Sequence, residues 1–193
     1  MSKTRVEAFT DGVMAILITI MVLELRTPHG TDVDSLLGIL PELAIYALSF
    51  TMLGIYWNNH HHMLHATERV NGAVLWANLH LLFWLSLMPF VTGWMGEHHF
   101  APLPTVVYGV VQFCAAIAYT ILQTAIIRLE GPHSKLAVAV KKDVKGKLSV
   151  VLWFVAIPLA FVQTWIALAL YIAVAGIWLV PDRRIERTLP RNS

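Results

Sequence analysis

Two kinds of residue in this sequence stand out as capable of chemistry: isolated carboxylates in an apolar stretch, and a run of histidines. Asp11 and Glu24 lie near the two ends of RVEAFTDGVMAILITIMVLEL, Arg5 to Leu25. On an α-helix their thirteen-residue separation is a rise of roughly 20 Å, short of the roughly 30 Å hydrocarbon thickness of a bilayer. A helix facing lipid cannot easily hold both, because an ionised carboxylate in hydrocarbon needs protein partners or water. The histidines fall in IYWNNHHHMLH, Ile55 to His65. His61 and His65 are four apart and share a helical face, a spacing that can bind a transition metal.

These histidines support one possible function, a small membrane transporter or a metal- or haem-handling protein using His60 to His65. Haem needs axial histidines set within neighbouring spans, and here only His80 lies clearly inside an apolar block. A metal path would also favour carboxylate partners in mid-membrane, which the inner spans lack. The contrasting reading of the run is a partly solvated, interfacial helix end. No Walker, Rossmann or HExxH pattern is present, so nothing points to an enzyme, and no cofactor is expected.

The elements that must position these residues follow from composition. Of 193 residues 57% are hydrophobic and only 13% charged, with a mean hydropathy of +0.64. That is too little charge for the surface of a soluble domain of this length. The apolar residues cluster in long blocks, which predicts an all-α, polytopic membrane protein in the cell membrane, one unit over residues 1–193. Six transmembrane helices are expected, at about 6–25, 41–62, 71–95 (loosened at Pro89) and 104–128, with the block 148–181 divided at Gln163–Thr164. The first block reads as a retained helix and not as a cleaved signal peptide, because LRTPHG follows it in place of a small-x-small site. Cys114, inside an apolar block, reads as a small packing residue.

Charge sets the orientation. With both termini cytoplasmic, the inner side takes Lys3, Arg5, Arg69, Arg128, Lys135, Lys141, Lys142, Lys145, Lys147 and the tail arginines 183, 184, 187 and 191. Only Arg26 of the fourteen Lys and Arg is then outside, as the positive-inside rule requires. The loop Leu129 to Gly146 is basic and amphipathic and can lie along the inner surface, and the short basic tail (about 182–193) reads as an anchor to lipid. A net charge of +2 gives no reason to expect nucleic acid.

At 100° per residue, Ile16, Ile20 and Leu23 form a narrow stripe on the first helix, with Phe9, Val13 and Thr27 near its extension and Asp11 almost opposite. If Asp11 turns into the bundle, the stripe faces away from its own subunit and meets lipid, another subunit or an aqueous path. The close spacing of the polar ends favours a position surrounded by protein and water, such as the centre of an oligomer.

Arg5, Phe9, Thr10 and Asp11 also carry a resemblance. RVEAFTD is similar to the RxxxFSD signature that opens the first helix in the transmembrane protein 175 family of potassium channels. The helix ending in LEL, and Pro28 soon after, resemble its bacterial branch. Thr10 replaces the motif serine and keeps the hydroxyl. The resemblance implies a homotetramer whose first helices line a central pore permeable to K⁺. The constriction it implies is made of hydrophobic residues, Ile16 first and then Ile20 and Leu23, in place of a carbonyl filter. Trp57-x-x-His60 resembles the family's second-helix Trp-x-x-His pattern. It implies a network in which His60 meets Asp11 and Arg5 balances the charge, a clamp on the pore helix. Glu24 and Thr27 fall at the outer mouth, where Glu24 either concentrates cations or pairs with Arg26. Mid-span Asn78, Gln112 and Gln123 are expected to bond between helices, and Trp94 and Trp165 to mark the interfaces.

Overall fold

A run of about twenty apolar residues can satisfy its backbone in lipid only by coiling into a helix, and this chain does so repeatedly. A computed structural model describes residues 2–140 and 143–179. Lys141, Lys142 and the basic tail, all expected on the inner side, lie outside the described residues.

The helices, in chain order, are α1 (Lys3–Leu23), α2 (Val33–Gly38), α3 (Leu40–His65), α4 (Gly72–Ser86), α5 (Met88–Glu97), α6 (Pro102–Glu130), α7 (Lys135–Val140), α8 (Val144–Val162) and α9 (Thr164–Leu179). Five stretches among the described residues are long and apolar enough to cross a membrane: α1, α3, α4 with α5, α6 and α8. The apolar α9 has 16 described residues, a rise of roughly 24 Å.

Local chemistry sets the boundaries. Pro41, Pro89 and Pro102 occupy first turns, where a missing N–H is harmless. Asn71 caps α4 by accepting from the Val74 N–H at 3.0 Å. The third apolar block is interrupted at Leu87, two residues before Pro89, because the proline ring disfavours continued helix in the turn ahead of it. The block beginning at Leu148 divides at Gln163, whose extended backbone ends α8 before Thr164 starts α9. α2 begins at Asp32, which accepts from the Ser35 N–H at 3.0 Å.

α6 is the hub, packed against α4, α5 and α8, and α9 closes over α8 and reaches α3 and α6. Where α6 meets α9, a Cβ on Gly109 would come within 2.3 Å of the Tyr171 hydroxyl, which donates to the Thr105 carbonyl at 3.0 Å. A buried polar seam joins α3, α5 and α6: Thr92 donates to Ser49 at 2.7 Å, and both Ser49 (3.2 Å) and the Gln112 amide (3.3 Å) donate to the Tyr108 oxygen. Cys114 is a half-buried free thiol on α6. α1 lies at one side of the bundle against α3, α4 and α5, with the rest of its circumference uncovered.

Candidate functional site

The site is best built from α1 outward. Its subunit-facing residues are Val6, Thr10, Met14, Leu17 and Met21, the spacing of one stripe on a 3.6-residue helix. The other side is bare: Ile16 is 57% exposed, Ile20 39% and Leu23 79%, with Phe9, Thr19, Glu24 and Thr27 also exposed. The Ile16 stripe therefore points away from its own subunit.

Asp11 does not turn into the bundle as expected; it is exposed. Thr10 takes the inward position, and one residue on a helix is a 100° rotation, which leaves Asp11 on the flank of the buried arc. The Trp57 indole N–H reaches across from α3 and donates to Asp11 Oδ1 at 2.9 Å.

His60 makes no hydrogen bond to Asp11. Three positions along α3 from Trp57, it is turned inward, where its Nε2 bonds Asn78 Oδ1 at 2.7 Å. The Asn78 amide in turn donates to Thr10 Oγ1 at 3.0 Å. Thr10, His60 and Asn78 are 0, 1 and 3% exposed. A hydrogen-bonded chain thus links α3, α4 and α1 in a buried interior, and two consecutive residues of α1 are held, Thr10 by α4 and Asp11 by α3. Arg5 is exposed and makes no ion pair among the described residues. Nearby, Lys3 Nζ donates to the His65 carbonyl at 3.2 Å, a cation on a helix C-terminus.

The sequence marked Asn78 as a mid-span residue that bonds between helices, and it does so, but the sequence named neither partner. Its tie to Thr10 spans 68 positions, and no periodicity could have supplied that. His61 and His65 form a column on the exposed side of α3. Trp57 stacks on His61 and His61 on His65, with centroids 6.2 and 6.1 Å apart. Among the described residues no three His, Cys, Asp or Glu side chains gather as metal ligands. His80 accepts from the Trp84 indole at 3.0 Å.

At the other end of α1 a cleft of about 500 Å³ lies between α1, α3 and α5, with Ile20, Glu24, Arg26, Glu42 and Glu97 in its walls. Arg26 pairs with Glu97 and not with Glu24, and its backbone N–H donates to Glu42 at 3.4 Å. Glu24 lies against Gly93 of α5 with no cation among the described residues. The arrangement leaves an unneutralised carboxylate beside the exposed stripe. The loop after α1 turns Arg26 back toward α5, which explains the change of partner. Glu42 and Glu97 went unmarked in the sequence, where each is only one acidic residue near a helix end.

A sequence model of the family described as endosomal/lysosomal potassium channel TMEM175 matches residues 5–89, which hold Thr10, Asp11, Trp57, His60 and Asn78. A potassium channel of Chryseobacterium sp. (strain P1-3) is 52% identical over 192 residues, covering all of both chains. The endosomal/lysosomal proton channel TMEM175 of Homo sapiens is 35% identical over 96 residues, 43% of this chain and 19% of that one. Among solved structures, a lysosomal potassium-selective channel TMEM175 homolog from Chamaesiphon minutus superposes with a TM-score of 0.80 at 26% identity, over 93% of this chain and 97% of that chain.

Proposed function

The chain belongs to the TMEM175 family and is a multi-pass membrane protein, and from that premise we propose that it is a potassium-permeable cation channel. Four copies assemble in the cell membrane with both termini cytoplasmic, each contributing one six-span unit (α1, α3, α4–α5, α6, α8 and α9). The α1 helices surround a central pore whose constriction is built from Ile16, Ile20 and Leu23. Glu24 and Thr27 stand at the outer mouth. No cofactor takes part, and K⁺ is the permeant ion.

The observation that carries this reading is the two-sidedness of α1. Its Thr10–Met14–Leu17–Met21 side is buried and its Ile16–Ile20–Leu23 side is bare. An apolar stripe flanked by Glu24 at one end and Asp11 at the other suits a narrow, intermittently wet path better than lipid. Rings of isoleucine exclude water unless the neck is wide enough. An ion passing them must rearrange its hydration shell, which K⁺ holds more weakly than Na⁺. The resulting preference for K⁺ over Na⁺ is modest, because no cage of carbonyls replaces the lost water. The chain from His60 through Asn78 to Thr10, and the Trp57–Asp11 bond, fix the rotation of α1 and so keep the stripe on the pore axis.

The test is reversal potential under bi-ionic K⁺/Na⁺ conditions, with purified protein in a planar bilayer. The wild type passes K⁺ in preference to Na⁺, and Ile16→Asn raises the current or brings the permeability ratio toward one. Unchanged conduction and selectivity in Ile16→Asn removes Ile16 from the constriction, and absence of K⁺ current in the wild type removes the channel reading. The same protein in vesicles carrying a pH-sensitive dye shows whether protons pass.

A further inference from the structure

A groove of about 680 Å³ runs along the bundle between α6 and α8, far from α1. Its walls are ordered along the helix axis. Ile117 and Ile121 of α6 and Val150 and Val151 of α8 line its apolar end. Gln123 comes next, with no hydrogen bond among the described residues, and then Arg128 and Lys147. From Ile117 to Arg128 is a rise of roughly 16 Å. Both cations are exposed and neither has an acidic partner among the described residues.

We propose that this groove binds one anionic glycerophospholipid, its phosphate between Arg128 and Lys147, its glycerol esters beside Gln123 and its acyl chains along Ile121 and Val151. The succession of apolar wall, amide donor and paired cations is the succession of acyl chain, ester and phosphate in such a lipid. A segment of folded protein does not require that order at that spacing. Both helices are long and apolar enough to cross a membrane, so lipid is what bathes the groove. Arg128 lies in the last turn of α6, where cations are favoured, and its five-donor guanidinium suits phosphate.

Among the described residues, the only acidic group in the walls is Asp143. Its carboxylate is turned to the start of α8, accepting from the Gly146 N–H at 2.8 Å. A Cβ on Gly146 would come within 2.3 Å of Asp143, so the glycine is what allows that turn. Two cations against one committed carboxylate leave the headgroup end positive. The proposal rests on membrane placement and not on the identity of the permeant ion.

The test uses the full chain in neutral detergent, with equimolar phosphatidylglycerol and phosphatidylcholine added and retained lipid counted by native mass spectrometry. The wild type retains phosphatidylglycerol in preference. Arg128→Gln with Lys147→Gln loses that preference by roughly 25-fold, taking about five-fold for each cation, and Ile121→Trp lowers retention of both lipids by filling the groove. If the double variant does not fold, Lys147→Gln alone, at an exposed position, carries the test with about five-fold. Equal retention of the two lipids by the wild type, or unchanged retention in the charge variants, overturns the proposal. So does a neighbouring subunit in the groove, seen as a smaller oligomer in Ile121→Trp with lipid retention unaltered. Ion flux is not read, so failure of the channel reading leaves the result standing.

Discussion

Asn78→Leu isolates what holds α1 in place. Leucine fills the volume of asparagine without creating a cavity, so the change removes only two hydrogen bonds, to His60 and to Thr10. The two partners do not suffer equally. Thr10 can turn its hydroxyl to its own helix, as Thr19 does toward the Ala15 carbonyl at 3.0 Å. His60, 1% exposed, has no such escape, and an orphaned buried donor costs about 1–3 kcal/mol. Interhelical bonds inside membranes average about 0.6 kcal/mol, so the two together set a floor of about 1 kcal/mol. The expected loss is about 2 kcal/mol. Trp57→Phe, in contrast, breaks one bond between exposed groups and keeps a ring to stack on His61; its loss stays near 0.6 kcal/mol, that same approximate average. The assay is reversible denaturant unfolding of the purified protein in micelles. His60→Leu added to Asn78→Leu removes the orphan and recovers part of the loss, since replacing both partners by apolar groups is nearly neutral. Two results refute the reasoning: Asn78→Leu no more destabilising than Trp57→Phe, or a double variant that is worse than Asn78→Leu alone.

Other perturbations have definite outcomes. Glu24→Gln lowers single-channel K⁺ current at low ionic strength and leaves it nearly unchanged near 1 M salt, where the screening length falls to about 3 Å; bilayer recording at two salt concentrations reads the difference. Gly109→Ala gains helix propensity of up to about 1 kcal/mol, but its Cβ displaces the Tyr171 hydroxyl. Tyr171 is fully buried, so a clash of about 1–3 kcal/mol outweighs that gain, and thermal unfolding shows a net loss of up to about 2 kcal/mol. At Asp32 the bonds from Ser35 hold the carboxyl below its ordinary value. The capped start of α2 is therefore intact above the usual carboxylate range of about pH 4 and is lost as pH falls through the lowered value; hydrogen exchange of residues 33–38 against pH detects this, and Asp32→Ala abolishes the dependence.

The long elements were legible because membrane helices obey one rule, an apolar run of sufficient length. The Gln163 break was legible because two polar residues interrupt a run too long for one span. α2 was not, since six residues carry no periodicity and only the Asp32 cap announces it. On α1, the wheel separated the Ile16 stripe from the remaining residues, but it gives directions only relative to one another. The buried arc proved to be centred on Thr10 and Met14, and that displaced Asp11 from the interior to the flank. The Asn78–Thr10 tie and the Arg26–Glu97 pair were out of reach for a different reason: they join residues 68 and 71 positions apart, and only the packed bundle brings them together.

The polar grip on α1 sits at one end. Thr10 and Asp11 are tied to α3 and α4, whereas Met14, Leu17 and Met21 are held by apolar contact alone. The helix is thus a lever with its fulcrum near Thr10. Ile16 stands roughly 9 Å along that arm and Leu23 roughly 20 Å. A tilt of about 5° displaces Ile16 by about 0.8 Å and Leu23 by about 1.7 Å. In the four-fold arrangement proposed above, such levers would spread as a cone, moving Leu23 most and Ile16 least.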